Sequence, residues 1–182
     1  MSGYHAFHDP VIEGVLYSSE EIADIVVRLG KQITEDYRGR DLALITVLRG
    51  GYVFLADLCR AIDLPLSLDF MAISAYGAGG GAVRITKDLD DQIEGRDVLV
   101  VEDIIDTGLT LNYLLSVLRQ RKPASLAVCT LFDKDIRRLA DLPIEYVGAR
   151  IPDRFVVGYG MDLGGRYRNL PFLATLHDEV MG

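Results

Sequence analysis

The chain has no tryptophan, only two cysteines and six prolines among its 182 residues. Two cysteines, Cys59 and Cys129, are too few for a disulfide scaffold. Each sits in an apolar pattern and reads as a buried thiol in a reducing cytosol; a single disulfide between them is the alternative. Basic residues are scarce, 19 against 27 acidic ones, for a net charge of −8. That balance disfavours wholesale binding to a nucleic-acid backbone. No apolar run approaches the length that spans a bilayer. The N-terminal stretch Met1–Pro10 holds no basic segment ahead of an apolar one, so a secretory signal is not expected. His5 and His8 lack a nearby third ligand, which argues against a metal site there. The expectation is a cytoplasmic protein with neither a nucleic-acid nor a membrane partner.

What is present is a core. The 49% hydrophobic content excludes disorder, and the length suits one domain, 1–182. Residues 1–17 read as a loosely structured lead-in. Ser18-Ser19-Glu20-Glu21 reads as a capping box, and Ile22, Ile25, Val26, Leu29 and Ile33 follow at helical spacing to about Tyr37. Leu42–Leu48 reads as a strand ending in Arg49-Gly50-Gly51, with a helical pattern after it. That Gly-Gly is either a tight turn or a backbone offered to an anion. Leu66–Ser74 is a further strand. It runs into Ala75-Tyr76-Gly77-Ala78-Gly79-Gly80-Gly81-Ala82, which is either a surface linker or a lid with Tyr76 at its base. Arg84, Lys87 and Asp88 belong to that lid or to the next strand.

The organising stretch is Val98–Thr110. Its β-branched run suits a strand buried on both faces. Glu102, Asp103 and Asp106 follow, then Thr107-Gly108-Leu109-Thr110 and a helical pattern at Leu111, Leu114, Leu115 and Leu118. Ligands bind at the carboxyl ends of strands in open α/β sheets, and a helix N-terminus attracts phosphate. Carboxylates beside an anion cradle suggest a phosphorylated sugar with a divalent cation. In an extended chain Glu102 and Asp103 point to opposite faces, so serving one ligand requires a turn between them. Asp106 is placed to cap the helix that follows. Ala124–Phe132 and Ile144–Ile151 read as strands, ending in Asp133-Lys134 and Pro152-Asp153-Arg154-Phe155. The alternation of strands and helices argues for a parallel α/β sheet. The last third lacks long helices and reads as a subdomain or antiparallel flap.

Val98–Thr110 resembles the phosphoribosyl-pyrophosphate motif of type I phosphoribosyltransferases. Leu48–Gly51 is similar to their pyrophosphate loop, and Ala75-Tyr76-Gly77 to the start of their flexible loop. Asp133-Lys134 falls where purine enzymes carry a base-reading lysine. Ile151–Asp162, continued by Arg166–Pro171, is similar to the C-terminal signature of hypoxanthine-guanine phosphoribosyltransferases. The resemblance implies a mainly parallel five-stranded sheet flanked by helices. It also implies a small hood from the chain ends (core about 18–150, hood about 1–17 and 151–182). It implies purine salvage, in which 5-phosphoribosyl passes from phosphoribosyl pyrophosphate to hypoxanthine or guanine with Mg²⁺. The products it implies are IMP or GMP and pyrophosphate, and the assembly it implies is a homodimer or homotetramer. It assigns Glu102, Asp103, Asp106, Thr107, Gly108, Leu109 and Thr110 to ribose 5-phosphate, with Asp106 as general base. It assigns Arg49, Gly50 and Arg168 to pyrophosphate, and Lys134, Phe155, Val156 and Asp162 to the purine. Glu102, Asp103 and Asp162 are the metal candidates. Three positions depart from the pattern: Arg49 stands where lysine is frequent, Ala75 where serine is, and Leu109 where some relatives have lysine. The alternatives are a xanthine- or guanine-preferring enzyme, and a regulator that binds phosphoribosyl pyrophosphate without turnover. A receiver-type signalling domain would leave Thr107–Thr110 and the C-terminal signature unexplained.

Overall fold

The structure, a computed structural model, describes residues 9–76, 82–177 and 179. His5, His8 and Gly77–Gly81 lie outside them, as do the side chains of Ala75 and Tyr76. Strand β1 spans Ile12–Tyr17 and helix α1 spans Ser19–Asp36. Ser18 caps α1: its hydroxyl accepts from the Glu21 N–H at 3.2 Å, while the Glu21 carboxylate accepts from the Ser18 N–H at 2.8 Å. This is the predicted capping box, which satisfies two amides at the helix start. Then come β2 (Leu42–Leu48), α2 (Tyr52–Ala61), β3 (Leu66–Tyr76) and β4 (Ala82–Lys87). They are followed by β5 (Asp97–Ile105), α3 (Leu109–Arg119), β6 (Ser125–Asp133), β7 (Ile144–Arg150), β8 (Val156–Val157) and β9 (Leu173–Leu176).

The main sheet has the order β4-β3-β2-β5-β6-β7. Its five strands from β3 to β7 pair in parallel, as expected, and β4 adds an antiparallel edge to β3. Arg84 and Lys87 therefore belong to a strand. Side chains along β5 alternate between the two cores, as the two-residue repeat of a strand demands. Leu99 and Val101 pack on the side of α1 and α2, and Val98 and Val100 on the side of α3. A strand covered on both faces needs a continuous apolar run, which Val98–Val101 supplies.

The lead-in expectation is corrected at Ile12–Tyr17. These residues form β1, which pairs antiparallel with β9, and β9 pairs antiparallel with β8. The short strand alternates partly buried and exposed positions, a weak pattern on its own. Its pairing partner lies some 160 residues away in the chain, so nothing local announces it. This second sheet joins the two ends of the chain and leans on the core, with Tyr17 and Phe132 ring centroids 5.2 Å apart.

Candidate active site

Strand order reverses between β2 and β5: the chain goes from β2 outward to β3, but from β5 to β6 on the other side. Their crossover helices α2 and α3 lie on opposite faces, so a crevice opens at the carboxyl ends of these two strands. A cleft of about 920 Å³ occupies that position, with a side arm of about 220 Å³ toward α3. Glu102, Ile104 and Asp106 line both.

Pairing of β2 with β5 ends at Thr46–Val101. β5 continues alone on that side through Ile105, still paired with β6. No turn separates Glu102 from Asp103, contrary to the condition set above; both reach the cleft because β5 outruns its neighbour. The β2 loop closes on them. The Leu48–Arg49 peptide is cis. A Cβ on Gly50 would strike Asp103 Oδ2, so a larger residue there would displace that carboxylate. Arg49 is exposed at the cleft wall.

Asp103 is only 8% exposed. Burial pushes its carboxyl up to about 6, against the opposing hydrogen bond from the Ile104 N–H. Burial also drives Glu102 well above the usual carboxylate range, and the Asp103 charge adds to it. Two carboxylates whose charge is disfavoured in this way attract a cation or hydroxyl donors.

The turn into α3 follows. Gly108 adopts φ +77° and is the N-cap of α3, so the helix starts at Leu109. Helical bonding begins with Asn112 N–H to Gly108 O at 2.8 Å, which leaves the amides before it for a ligand. Thr107 Oγ1 accepts from the Leu109 N–H only at 3.5 Å. Thr107, Gly108 and Thr110 line the side arm, whereas the Leu109 side chain is exposed. Asp106 does not cap the helix, because Gly108 holds that place without a side-chain bond. Asp106 Oδ2 instead meets Arg137 at 3.2 Å, and its Oδ1 is buried without a partner among the described residues.

Lys134, 6% exposed, follows β6 with its N–H bonded to Ile105 O. Its Nζ lies 3.9 Å from Asp153. Phe155 is 38% exposed across the same cleft, and Val156 is buried behind it in β8. Asp162 holds Arg168 at 2.5 Å and accepts from the Gly165 N–H at 2.7 Å. Arg168 also donates to Gly160 O at 2.5 Å. Arg49, Gly50, Lys134, Phe155, Val156, Asp162 and Arg168 thus share one cleft with the acidic strand end.

Comparison with known proteins gives this arrangement a family. The phosphoribosyl transferase domain matches residues 14–163. The chain is 50% identical to the hypoxanthine phosphoribosyltransferase of Salmonella typhimurium over 167 residues, 89% of this chain and 94% of that one. It is also 50% identical to the hypoxanthine-guanine phosphoribosyltransferase of Mycobacterium avium over 178 residues, 93% and 88% of the two. The chain belongs to the hypoxanthine-guanine phosphoribosyltransferase family. A solved Staphylococcus aureus hypoxanthine phosphoribosyltransferase matches with a TM-score of 0.94 at 44% identity, over 99% of this chain and 100% of that one.

In this phosphoribosyltransferase the backbones of Ala75 and Tyr76 are the last residues of β3, paired with Val83 and Ala82. The expected flexible loop beyond them, Gly77–Gly81, lies outside the described residues. Sequence reasoning missed Arg137 and Asp153 on the cleft wall. Both sit in charged turns, and only the fold brings those turns to Asp106 and Lys134. Cys59 and Cys129 are free thiols, which removes the disulfide alternative. No helix among the described residues is long and apolar enough to cross a membrane.

Proposed function

We propose that this cleft transfers the 5-phosphoribosyl group of phosphoribosyl pyrophosphate to hypoxanthine, and to guanine, in purine salvage. The observation that supports it most is the shared wall. Glu102, Ile104 and Asp106 line both the arm at the α3 N-terminus and the arm that holds Lys134, Arg49 and Arg168. A phosphate, a sugar, a leaving pyrophosphate and a base each meet a chemically matched surface, in the order in which they are bonded.

The free amides of Thr107–Thr110 take the 5′-phosphate. Glu102 and Asp103 face the ribose hydroxyls. Arg49, the Gly50 backbone and Arg168 receive pyrophosphate, so positive charge awaits the leaving group. Lys134 donates to O6 of the base and Phe155 stacks on its ring. The Val156 and Asp162 backbones face the Watson–Crick edge. As the bond from C1 to pyrophosphate oxygen breaks and the bond from C1 to purine nitrogen forms, Asp106 accepts the proton from the N7 side. Adenine carries a donor where hypoxanthine has O6, and Lys134 rejects it for want of an acceptor.

Mg²⁺ takes oxygen donors and is held by one or two carboxylates together with substrate oxygens. The site suits that mode. Glu102 and Asp103 supply two carboxylates raised by burial. Among the described residues no trio of ligating side chains forms a ready cage, so substrate oxygens would have to complete the shell. Asp162, whose two oxygens meet Arg168 and the Gly165 N–H, would be the residue to hold a second ion. Bound there, Mg²⁺ neutralises the charge of the departing pyrophosphate. A cytoplasmic setting and assembly into a homodimer or homotetramer belong to the same proposal.

The test is Asp106→Asn under single-turnover conditions, with phosphoribosyl pyrophosphate, Mg²⁺ and hypoxanthine. The chemical step is expected to slow by roughly 10²-fold or more, the usual weight of a positioned base. An unchanged step removes Asp106 as proton acceptor.

A further inference from the structure

The short turn Asp135–Arg137 after β6 brings to the cleft a guanidinium that the assignments above leave without a task. Arg137 NH1 lies 3.2 Å from Asp106 Oδ2 and 3.5 Å from Asp153 Oδ1. Asp153 Oδ1 in turn lies 3.9 Å from Lys134 Nζ. Charges therefore alternate along Asp106, Arg137, Asp153 and Lys134, from the proton acceptor to the amine that reads the base. The two oxygens of Asp106 are unequal. Oδ1 is buried without a partner among the described residues, while the side chain as a whole is 44% exposed, so Oδ2 is the oxygen the cleft reaches. A carboxylate turns easily about its last torsion, and a buried unpaired oxygen favours such a turn. Arg137 opposes it by holding Oδ2. A carboxylate oxygen has a second lone pair, which stays open for the purine N–H.

We propose that Arg137 is a positioning residue for proton transfer: it fixes the Asp106 carboxylate with Oδ2 toward the purine. The proposal rests on the reading of Asp106 as proton acceptor. The ion pairs of Arg137 run to Asp106 and Asp153, so its effect is expected on the purine step. A single nitrogen makes both contacts, so a lysine ammonium reaching the same point restores the bridge. At 47% exposure the pair adds little to fold stability, and its role shows in kinetics.

The experiment is a double-mutant cycle on the full chain, by single-turnover conversion of hypoxanthine at saturating Mg²⁺ and phosphoribosyl pyrophosphate. Unfolding midpoints of every variant show that each is folded. Arg137→Ala is expected to slow the step about tenfold, a loss that a small misplacement of a reacting group readily produces. KM for phosphoribosyl pyrophosphate stays unchanged, and Arg137→Lys recovers most of the rate. In the Asp106→Asn background Arg137→Ala has no further effect. If its tenfold loss persists there, or if the lysine variant is no faster than the alanine one, the positioning role is wrong while Asp106 keeps its own. If Asp106→Asn alone leaves the step intact, the proton-acceptor reading falls and the role of Arg137 falls with it.

Discussion

Asp103→Asn is expected to make the protein more stable and less active at once. In the native state the carboxyl rises from 3.8 to about 6 because it is buried beside the β2 loop. At about 1.4 kcal/mol per pKa unit, holding the charge there at neutral pH costs roughly 3 kcal/mol. Asparagine keeps an acceptor for the Ile104 N–H, whose bond to the ionised carboxylate is already counted in that value. The expected gain at pH 8 is about 3 kcal/mol, or roughly 6–12 °C in Tm. The pH dependence fixes the cause. The folded-state value lies above the unfolded one, so the native state binds the extra proton in between. The stabilising contribution is full below about pH 4 and is lost as pH rises through about 6. Urea unfolding of both proteins in Mg²⁺-free buffer at pH 4.5 and pH 8 reads the difference. The advantage of the variant should be full at pH 8 and shrink to about 1 kcal/mol at pH 4.5. Equal stability at pH 8, or a gain independent of pH, would refute the claim that burial destabilises this charge. In the presence of substrates the same variant should lose at least about tenfold in kcat/KM for phosphoribosyl pyrophosphate.

Two further outcomes follow from the geometry. Gly108→Ala places a side chain at φ +77° with Leu142 Cδ1 2.8 Å from its Cβ. The variant should lose about 1–2 kcal/mol in urea unfolding and show a raised KM for phosphoribosyl pyrophosphate; a wild-type KM would detach this turn from the phosphate. Lys134→Ala should narrow the preference for hypoxanthine over adenine by roughly 10²-fold in kcat/KM. An unchanged ratio would mean that the buried amine does not read position 6.

How far the sequence carries depends on whether the determining interactions are local. The capping box at Ser18 and Glu21 and the strand–turn–helix of Val98–Leu118 rest on neighbours, and both were legible. The parallel sheet followed from alternation of elements. Three features escaped. β1 owes its existence to a partner at the other end of the chain. The extended path through Glu102 and Asp103 depends on β2 ending earlier than β5, which no reading of β5 alone reveals. Arg137 and Asp153 look like ordinary solvated charges until the turn after β6 meets the segment after β7. Asp106 was ambiguous between cap and proton acceptor; the left-handed Gly108 takes the cap and leaves Asp106 in the cleft.

The central claim is transfer of phosphoribosyl to a 6-oxopurine. Its most direct test is the initial rate with hypoxanthine, guanine, xanthine and adenine, each with Mg²⁺ and phosphoribosyl pyrophosphate, with the nucleotide product identified. The account predicts IMP from hypoxanthine, GMP from guanine, and a rate with adenine lower by orders of magnitude. Efficient turnover of adenine, or none of any base, would contradict it.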